Sequence, residues 1–268
     1  MPAGDPQAAA DLALLVQAAR AAADLALGFH GRNPKTWHKE ADQSPVTEAD
    51  LAVDAMLRER LLAARPGYGW LSEETPDSPA RLDRDQVFIV DPIDGTRDFI
   101  AGGTVWGHSL AVARGGEVTA AVVHLPRRAE VYTAARGHGA HLNGARLVAS
   151  GRGNSAGGTM LTRRSALEDR HWPGGVPAMD PVTRSPMAYR LACLAGGGFD
   201  ALFAPSGIWE WDLAAGALMI AEAGHVITDA DGHALRFNAA RPRAPGVLAA
   251  SAPLHAELLV RRSGPGVG

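Results

Sequence analysis

Apolar residues set two different periods along this chain. Over residues 12–27 they recur every three or four positions, at Leu14, Leu15, Ala18, Ala22, Leu25 and Ala26, which predicts a long amphipathic helix starting near residues 6–11. A polar segment with Lys39 follows. Ser44-Pro45-Val46-Thr47 then leads into a second helix over residues 48–64, with Thr47 as its N-cap and Asp50 in its first turn. From there the period shortens. Residues 67–71 read as a short strand, and Val87 to Val90 as a buried strand rich in β-branched residues. Between them residues 76–85, rich in Pro, Asp and Arg, predict a mobile surface loop. Residues 106–113, 118–125 and 130–135 alternate or run apolar between the turn pairs Gly115-Gly116 and Pro126-Arg127. They predict an antiparallel meander, which residues 137–149 extend with a hairpin at Asn143-Gly144.

The Gly/Ser-rich residues 151–158 predict a connector. They divide an N-terminal α+β half (residues 1–150), with the large antiparallel sheet, from a C-terminal α/β half (residues 151–268). In the second half, strands at 159–162, 199–204, 225–228 and 247–250 alternate with helices at 186–195, 210–223 and 252–261. Gly196-Gly197-Gly198 and Gly224 stop two of those helices, and residues 263–268 are expected to be disordered.

Composition narrows the function. The chain has 268 residues, 46% hydrophobic and 21% charged, an ordinary globular balance. A formal net charge of −3 argues against a broad nucleic-acid-binding surface. Cys193, the one cysteine, sits in an apolar run, so neither an internal disulfide nor a cysteine-based metal cluster is expected. The first residues lack a basic secretory leader, and no apolar run is read as long enough to cross a membrane. A cytoplasmic protein is the expectation.

The chemistry concentrates in residues 87–100, VFIVDPIDGTRDFI. The strand ends in Asp91, Pro92 is expected to stop it, and Asp94 follows three residues on. Gly95 relaxes the backbone before a short helical turn starting at Thr96. Two carboxylates on such a turn suit a hard cation such as Mg²⁺, and the N–H groups around Gly95 and Thr96 suit a phosphate. In isolation, D-x-x-D-G reads equally as helix capping. The same holds for Asp212, in the first turn of the helix over residues 210–223. Glu73 and Glu74 follow the strand at 67–71, as Asp91 follows its own, so two strands can deliver carboxylates to one place.

DPIDGT, together with LSEE upstream and WDLAAG downstream, resembles the inositol monophosphatase superfamily of Mg²⁺-dependent phosphatases. That resemblance implies a layered αβαβα sandwich, α+β then α/β, with the metal site between the halves. It implies that Glu73, Asp91 and the Ile93 carbonyl hold one Mg²⁺, that Asp91, Asp94 and Asp212 hold another, and that a third, weaker ion sits near Glu73, with Mn²⁺ able to substitute. Metal-activated water would hydrolyse a small phosphate monoester. Thr96, hydrogen-bonded to Asp50, would orient and help deprotonate that water, with Glu73 and Glu74 as other candidates for base. Gly95, Thr96, Arg97, Arg190 and Asp212 would meet phosphate or substrate. An aspartyl-phosphate on Asp91 ranks well below direct water attack. Lithium inhibition and a homodimer are further expectations from the family.

Ser72 before Glu73, and Arg97-Asp98-Phe99-Ile100 after Thr96, look more like the 3'(2'),5'-bisphosphate nucleotidases than the inositol enzymes. Pro205 stands where the inositol enzymes carry a substrate-binding Glu. Arg190 stands roughly where the nucleotidases carry a Lys near the second phosphate; as a bare residue it reads equally as an exposed helix charge. Adenosine 3',5'-bisphosphate is therefore the favoured substrate. Inositol 1-phosphate, histidinol phosphate or a sugar phosphate is the alternative. Ser185-Pro186-Met187 replaces the small Gly-Ser pair typical of both branches, so the substrate wall differs. Trp209 stacks on a base or simply packs. A regulatory protein-interaction module on the same fold, and an acidic cluster that only stores Ca²⁺, are the rivals to an enzyme.

Overall fold

Asp5 opens the first helix, α1 (Pro6–Phe29), by accepting the Gln7 N–H at 2.9 Å and the Ala8 N–H at 3.3 Å. The structure, a computed structural model, describes residues 5–40 and 43–264; of the residues 263–268 expected to be disordered, Ser263 ends the last helix and 265–268 lie outside the described residues. Contrary to the sequence expectation, α1 is long and apolar enough to cross a membrane by length and composition. Its apolar stripe packs inside the fold instead. Leu15, Ala18, Ala22 and Ala26 are fully buried, and buried Asp11 is held by Arg65 Nε and Tyr68 Oη, both at 3.0 Å.

A small hairpin, β1 (Thr36–His38) and β2 (Pro45–Thr47), leads to α2 (Glu48–Ala64). Thr47 is its N-cap, closing a capping box with Asp50. β3 (Gly69–Ser72) then runs parallel to β4 (Gln86–Asp94). The segment between them is less loose than expected. It carries a 3-10 turn at Pro79–Asp83 whose Arg81 is buried, bonded to Asp77, Asn238 and the Ala239 carbonyl.

β4 also runs three residues past Asp91, through Pro92, to Asp94. Asp91 pairs with Ser109 and Asp94 with Gly107, so a register shift absorbs Pro92 and Ile93. A proline needs no ladder donor in a bulge, which is why it does not end the strand. α3 (Thr96–Ile100) follows, then β5 (Gly107–Arg114), β6 (Glu117–Leu125), β7 (Glu130–Ala135), β8 (Gly139–Leu142) and β9 (Ala145–Arg146) as an antiparallel meander in a seven-stranded sheet.

The second half begins with β10 (Gly158–Leu161) and a strand not foreseen, β11 (Met179–Val182), parallel to it. The helix α4 (Met187–Ala195), β12 (Ala201–Ala204), β13 (Ile208–Trp209) and the helix α5 (Glu210–Glu222) come next. β14 (Val226–Thr228), β15 (Arg243–Ala244), β16 (Val247–Ala250) and α6 (Ala252–Ser263) complete the chain. Strands β11, β10, β12, β16 and β14 form a five-stranded mixed sheet.

Strand alternation explains the layering. Phe88, Val90, Leu110 and Val112 point to α1 and α2, while Val87, Ile89, Ala111 and Ala113 point to α4 and α5. Leu202 and Val247 cover the far side of α4 and α5, and Phe203, Leu248 and Ala250 face α6 through Leu254 and Leu258. The result is the αβαβα sandwich expected from the sequence. Helices α4 and α5 touch closely: a Cβ on Gly216 would lie 2.3 Å from the Leu191 Cβ, so this position of WDLAAG serves helix packing.

Candidate metal centre

Three chain segments converge at the C-terminal ends of β3 and β4 and the N-terminus of α5. Glu73 follows β3 and donates its N–H to the Val90 carbonyl at 3.2 Å, which seats it beside the end of β4. Ser72 tethers the same loop from below: its hydroxyl donates to Asp54 Oδ1 at 2.5 Å, and Thr75 donates to Asp54 Oδ2 at 2.5 Å. Asp91 and Asp94 flank the bulge of β4. Gly95 beyond it adopts φ +98°, and a Cβ there would lie 3.0 Å from the Val105 carbonyl oxygen, so glycine is required. Asp212 sits in the first turn of α5, anchored by Ser109 Oγ donating to the Trp211 carbonyl at 3.0 Å.

Ligand atoms of Glu73, Asp91 and Asp212 lie within 4.8 Å of one another. Among the described residues this is the one such group of three. Asp94 stands beside it, with Oδ2 accepting the Ala188 N–H of α4 at 2.8 Å, a bond that ties the two halves together. Glu73, Asp91, Ile93, Asp94, Gly95, Thr96, Arg97, Arg190 and Asp212 all line one cleft of about 400 Å³. Of the expected site residues, Asp50 and Glu74 do not line it. Asp50 lies buried behind Thr96, whose Oγ1 is 3.2 Å from Asp50 Oδ1 and 3.1 Å from the Ile93 carbonyl oxygen. Glu74 turns away, toward Trp209 and Trp211.

The electrostatics are those of a cation site. Burial, then the charges of Glu73, Asp94 and Asp212, hold Asp91 well above the usual carboxylate range. Burial, then Asp94 and Glu73, do the same for Asp212. Burial lifts Asp94 to about 7 and Asp50 to about 6. Asp91 Oδ1 is buried without a hydrogen-bond partner. Carboxylates crowded this way, with an oxygen left over, fit a hard divalent ion with all-oxygen ligands.

Lys39, which reads only as part of a polar segment, reaches this cluster. Its Nζ donates to Glu73 Oε1 at 2.7 Å and to Glu74 Oε1 at 2.8 Å. Burial, then the charge of Glu73, lifts Glu74 to about 7, and the Lys39 contacts oppose the rise. No spacing rule would have found it, because the contact spans 34 residues from a polar loop.

Arg190 is half-buried, not an exposed helix charge; its Nη2 reaches the Leu161 carbonyl at 3.4 Å. Burial, then the neighbouring charge of Arg163, lowers its pKa. Arg163, also missed, lines the acidic cleft together with Arg190. Both continue into a second cavity of about 440 Å³, which Arg170, His171, Pro205 and Asp212 also line. Trp209 stacks on Trp211, rings 10° from parallel with centroids 4.7 Å apart, and Arg243 lies over it at 5.2 Å. Glu210 is buried and accepts the Asn238 and Ala239 N–H groups at 2.6 and 3.0 Å, a structural role.

This fold, with carboxylates gathered at strand and helix ends, defines a metal-dependent phosphatase. Known proteins agree. The profile of the inositol monophosphatase family matches residues 7–264, and the chain belongs to that family. An inositol-1-monophosphatase of Rhizobium meliloti (strain 1021) is 39% identical over 202 residues, 70% of this chain and 73% of its own length. A histidinol-phosphatase of Chlorobaculum parvum is 32% identical over 224 residues, 80% of this chain and 83% of its own. The crystal structure of the extragenic suppressor protein suhB from Bartonella henselae superposes with a TM-score of 0.79 at 28% identity, covering 93% of this chain and 97% of that one.

Proposed function

We propose that this phosphatase hydrolyses a small organic phosphate monoester carrying a second negative group, with adenosine 3',5'-bisphosphate the favoured substrate. The observation that carries the substrate reading is the Arg163–Arg190 pair. Two guanidinium groups face one cavity beside Asp212, and among the described residues neither forms a salt bridge with a carboxylate. An anion between them would relieve their repulsion and gain charge-assisted hydrogen bonds. Pro205 in the same wall offers no side-chain partner for a sugar hydroxyl.

Glu73, Asp91, the Ile93 carbonyl, Asp94 and Asp212 would hold the Mg²⁺ ions, two of them with Asp91 shared. When bound, such ions neutralise phosphoryl charge and acidify water. The chain's own groups do the rest. With the Ile93 carbonyl occupied, the Thr96 hydroxyl would donate to Asp50 and keep a lone pair toward the cleft, able to accept from the attacking water and fix its direction. The Gly95 and Thr96 N–H groups, at the cleft and outside the helical ladder, would meet the phosphoryl oxygens. Arg97, exposed at the rim, attracts the anion.

The names of the Rhizobium and Chlorobaculum relatives favour a second reading, inositol 1-phosphate or histidinol phosphate. Steady-state rates on adenosine 3',5'-bisphosphate, inositol 1-phosphate and histidinol phosphate decide between them. A higher kcat/KM for either of the last two sinks the bisphosphate reading and leaves the phosphatase.

A further inference from the structure

We propose that His108 is a positioning residue for the metal turn: its buried ring clamps the Pro92 carbonyl and so holds the bulge that presents Asp91 and Ile93. This rests on the reading that those two residues bind metal. In the β4–β5 ladder, Asp91 pairs with Ser109 and Asp94 with Gly107, leaving Pro92 and Ile93 opposite His108 alone. A bulge breaks the regular ladder, so carbonyls inside it need another donor. His108 Nδ1 lies 2.6 Å from the Pro92 oxygen. A carbonyl only accepts, so Nδ1 carries the hydrogen and the tautomer is fixed.

The ring cannot turn away easily. His108 is fully buried, edge-on to Trp106 at 5.9 Å and to its cross-strand partner His124 at 6.1 Å. His124 in turn reaches the Ala19 carbonyl of α1 at 3.2 Å. Burial keeps His108 neutral, its pKa lowered to about 3. A rigid path therefore runs from α1 through two imidazoles to the carbonyl between the two ligand residues. Outer groups that orient ligands typically contribute 10–100-fold in metal affinity.

The test is calorimetric titration of chelator-treated protein with Mn²⁺, alongside thermal unfolding without metal. His108→Leu removes the donor at similar size, His108→Asn replaces it with an amide N–H at the position of Nδ1, and His124→Leu disturbs the same core without touching the turn. The expected result is Mn²⁺ affinity ~10–100-fold weaker in His108→Leu, recovery to within about threefold in His108→Asn, and near-native affinity in His124→Leu despite lost stability. Native affinity in His108→Leu, or equal weakening in all three variants, overturns the positioning role. If His108→Leu does not fold, His108→Asn against His124→Leu decides: the first must bind within about threefold of the second. Wild-type protein that binds no Mn²⁺ refutes the metal reading itself, a different failure.

Discussion

Thr96 Oγ1 lies 3.2 Å from Asp50 Oδ1, joining the start of α3 to the capping box of α2 across 46 residues. A hydroxyl has one hydrogen, and both Asp50 and the Ile93 carbonyl compete for it. Were the Ile93 carbonyl to hold metal as proposed, the hydrogen would go to Asp50 and leave an oxygen lone pair for water. Thr96→Val is therefore expected to lower kcat by ~10²–10⁴-fold with little change in KM, and Thr96→Ser to retain most of the rate. Single-turnover phosphate release measures both. Equal rates in Thr96→Val and wild type would remove Thr96 from the chemistry.

Asp50 and Asp212 separate catalysis from stability. Asp50→Asn disturbs the capping box and should cost about 0.5–2 kcal/mol in thermal or urea unfolding as well as rate. Asp212→Asn should abolish turnover yet raise the melting temperature of metal-free protein near pH 7, because it removes one of several repelling buried carboxylates. A fall in that melting temperature would mean that the cluster is not under charge repulsion.

The same repulsion sets a pH dependence. The folded-state values of Asp91, Asp94 and Asp212 are all raised, Asp94 to about 7, so the native state binds more protons than the unfolded one from the ordinary carboxylate range upward. Without metal, stability should fall as pH rises from the ordinary carboxylate range through about 7, where Asp94 titrates, and go on falling for as long as Asp91 and Asp212 keep their protons. Stabilisation by saturating Mg²⁺ should grow over the same interval. Melting curves with EDTA and with Mg²⁺ across that window check both.

The arginine wall is tested by specificity. Arg190→Leu should raise KM for adenosine 3',5'-bisphosphate about 10–100-fold, the loss of one charged hydrogen bond, and change inositol 1-phosphate turnover far less. A proportional loss on both substrates would assign Arg190 to the scissile phosphate instead.

Much of this was readable along the chain. The helix over residues 48–64, the strand over residues 130–135 and the turn at Asn143-Gly144 stand where period and turn chemistry place them. DPIDGT and WDLAAG located acidic residues that do meet. The misses have physical causes. Pro92 reads as a stop because the rule concerns regular ladders, and a bulge lifts it. β11 was invisible because its Met179-Asp180-Pro181-Val182 has neither alternation nor apolar run. Lys39 and Arg163 gained roles only through long-range contacts, and Glu74, adjacent to a cleft residue, points elsewhere.

The most direct measurement is calorimetric titration of the chelator-treated protein with Mn²⁺, wild type against Asp91→Asn. If Asp91 is shared by two ion positions as proposed, the wild type should bind at least two ions and the variant should lose measurable binding together with phosphate release. Unchanged stoichiometry and affinity in Asp91→Asn would contradict a shared carboxylate at the centre of this site.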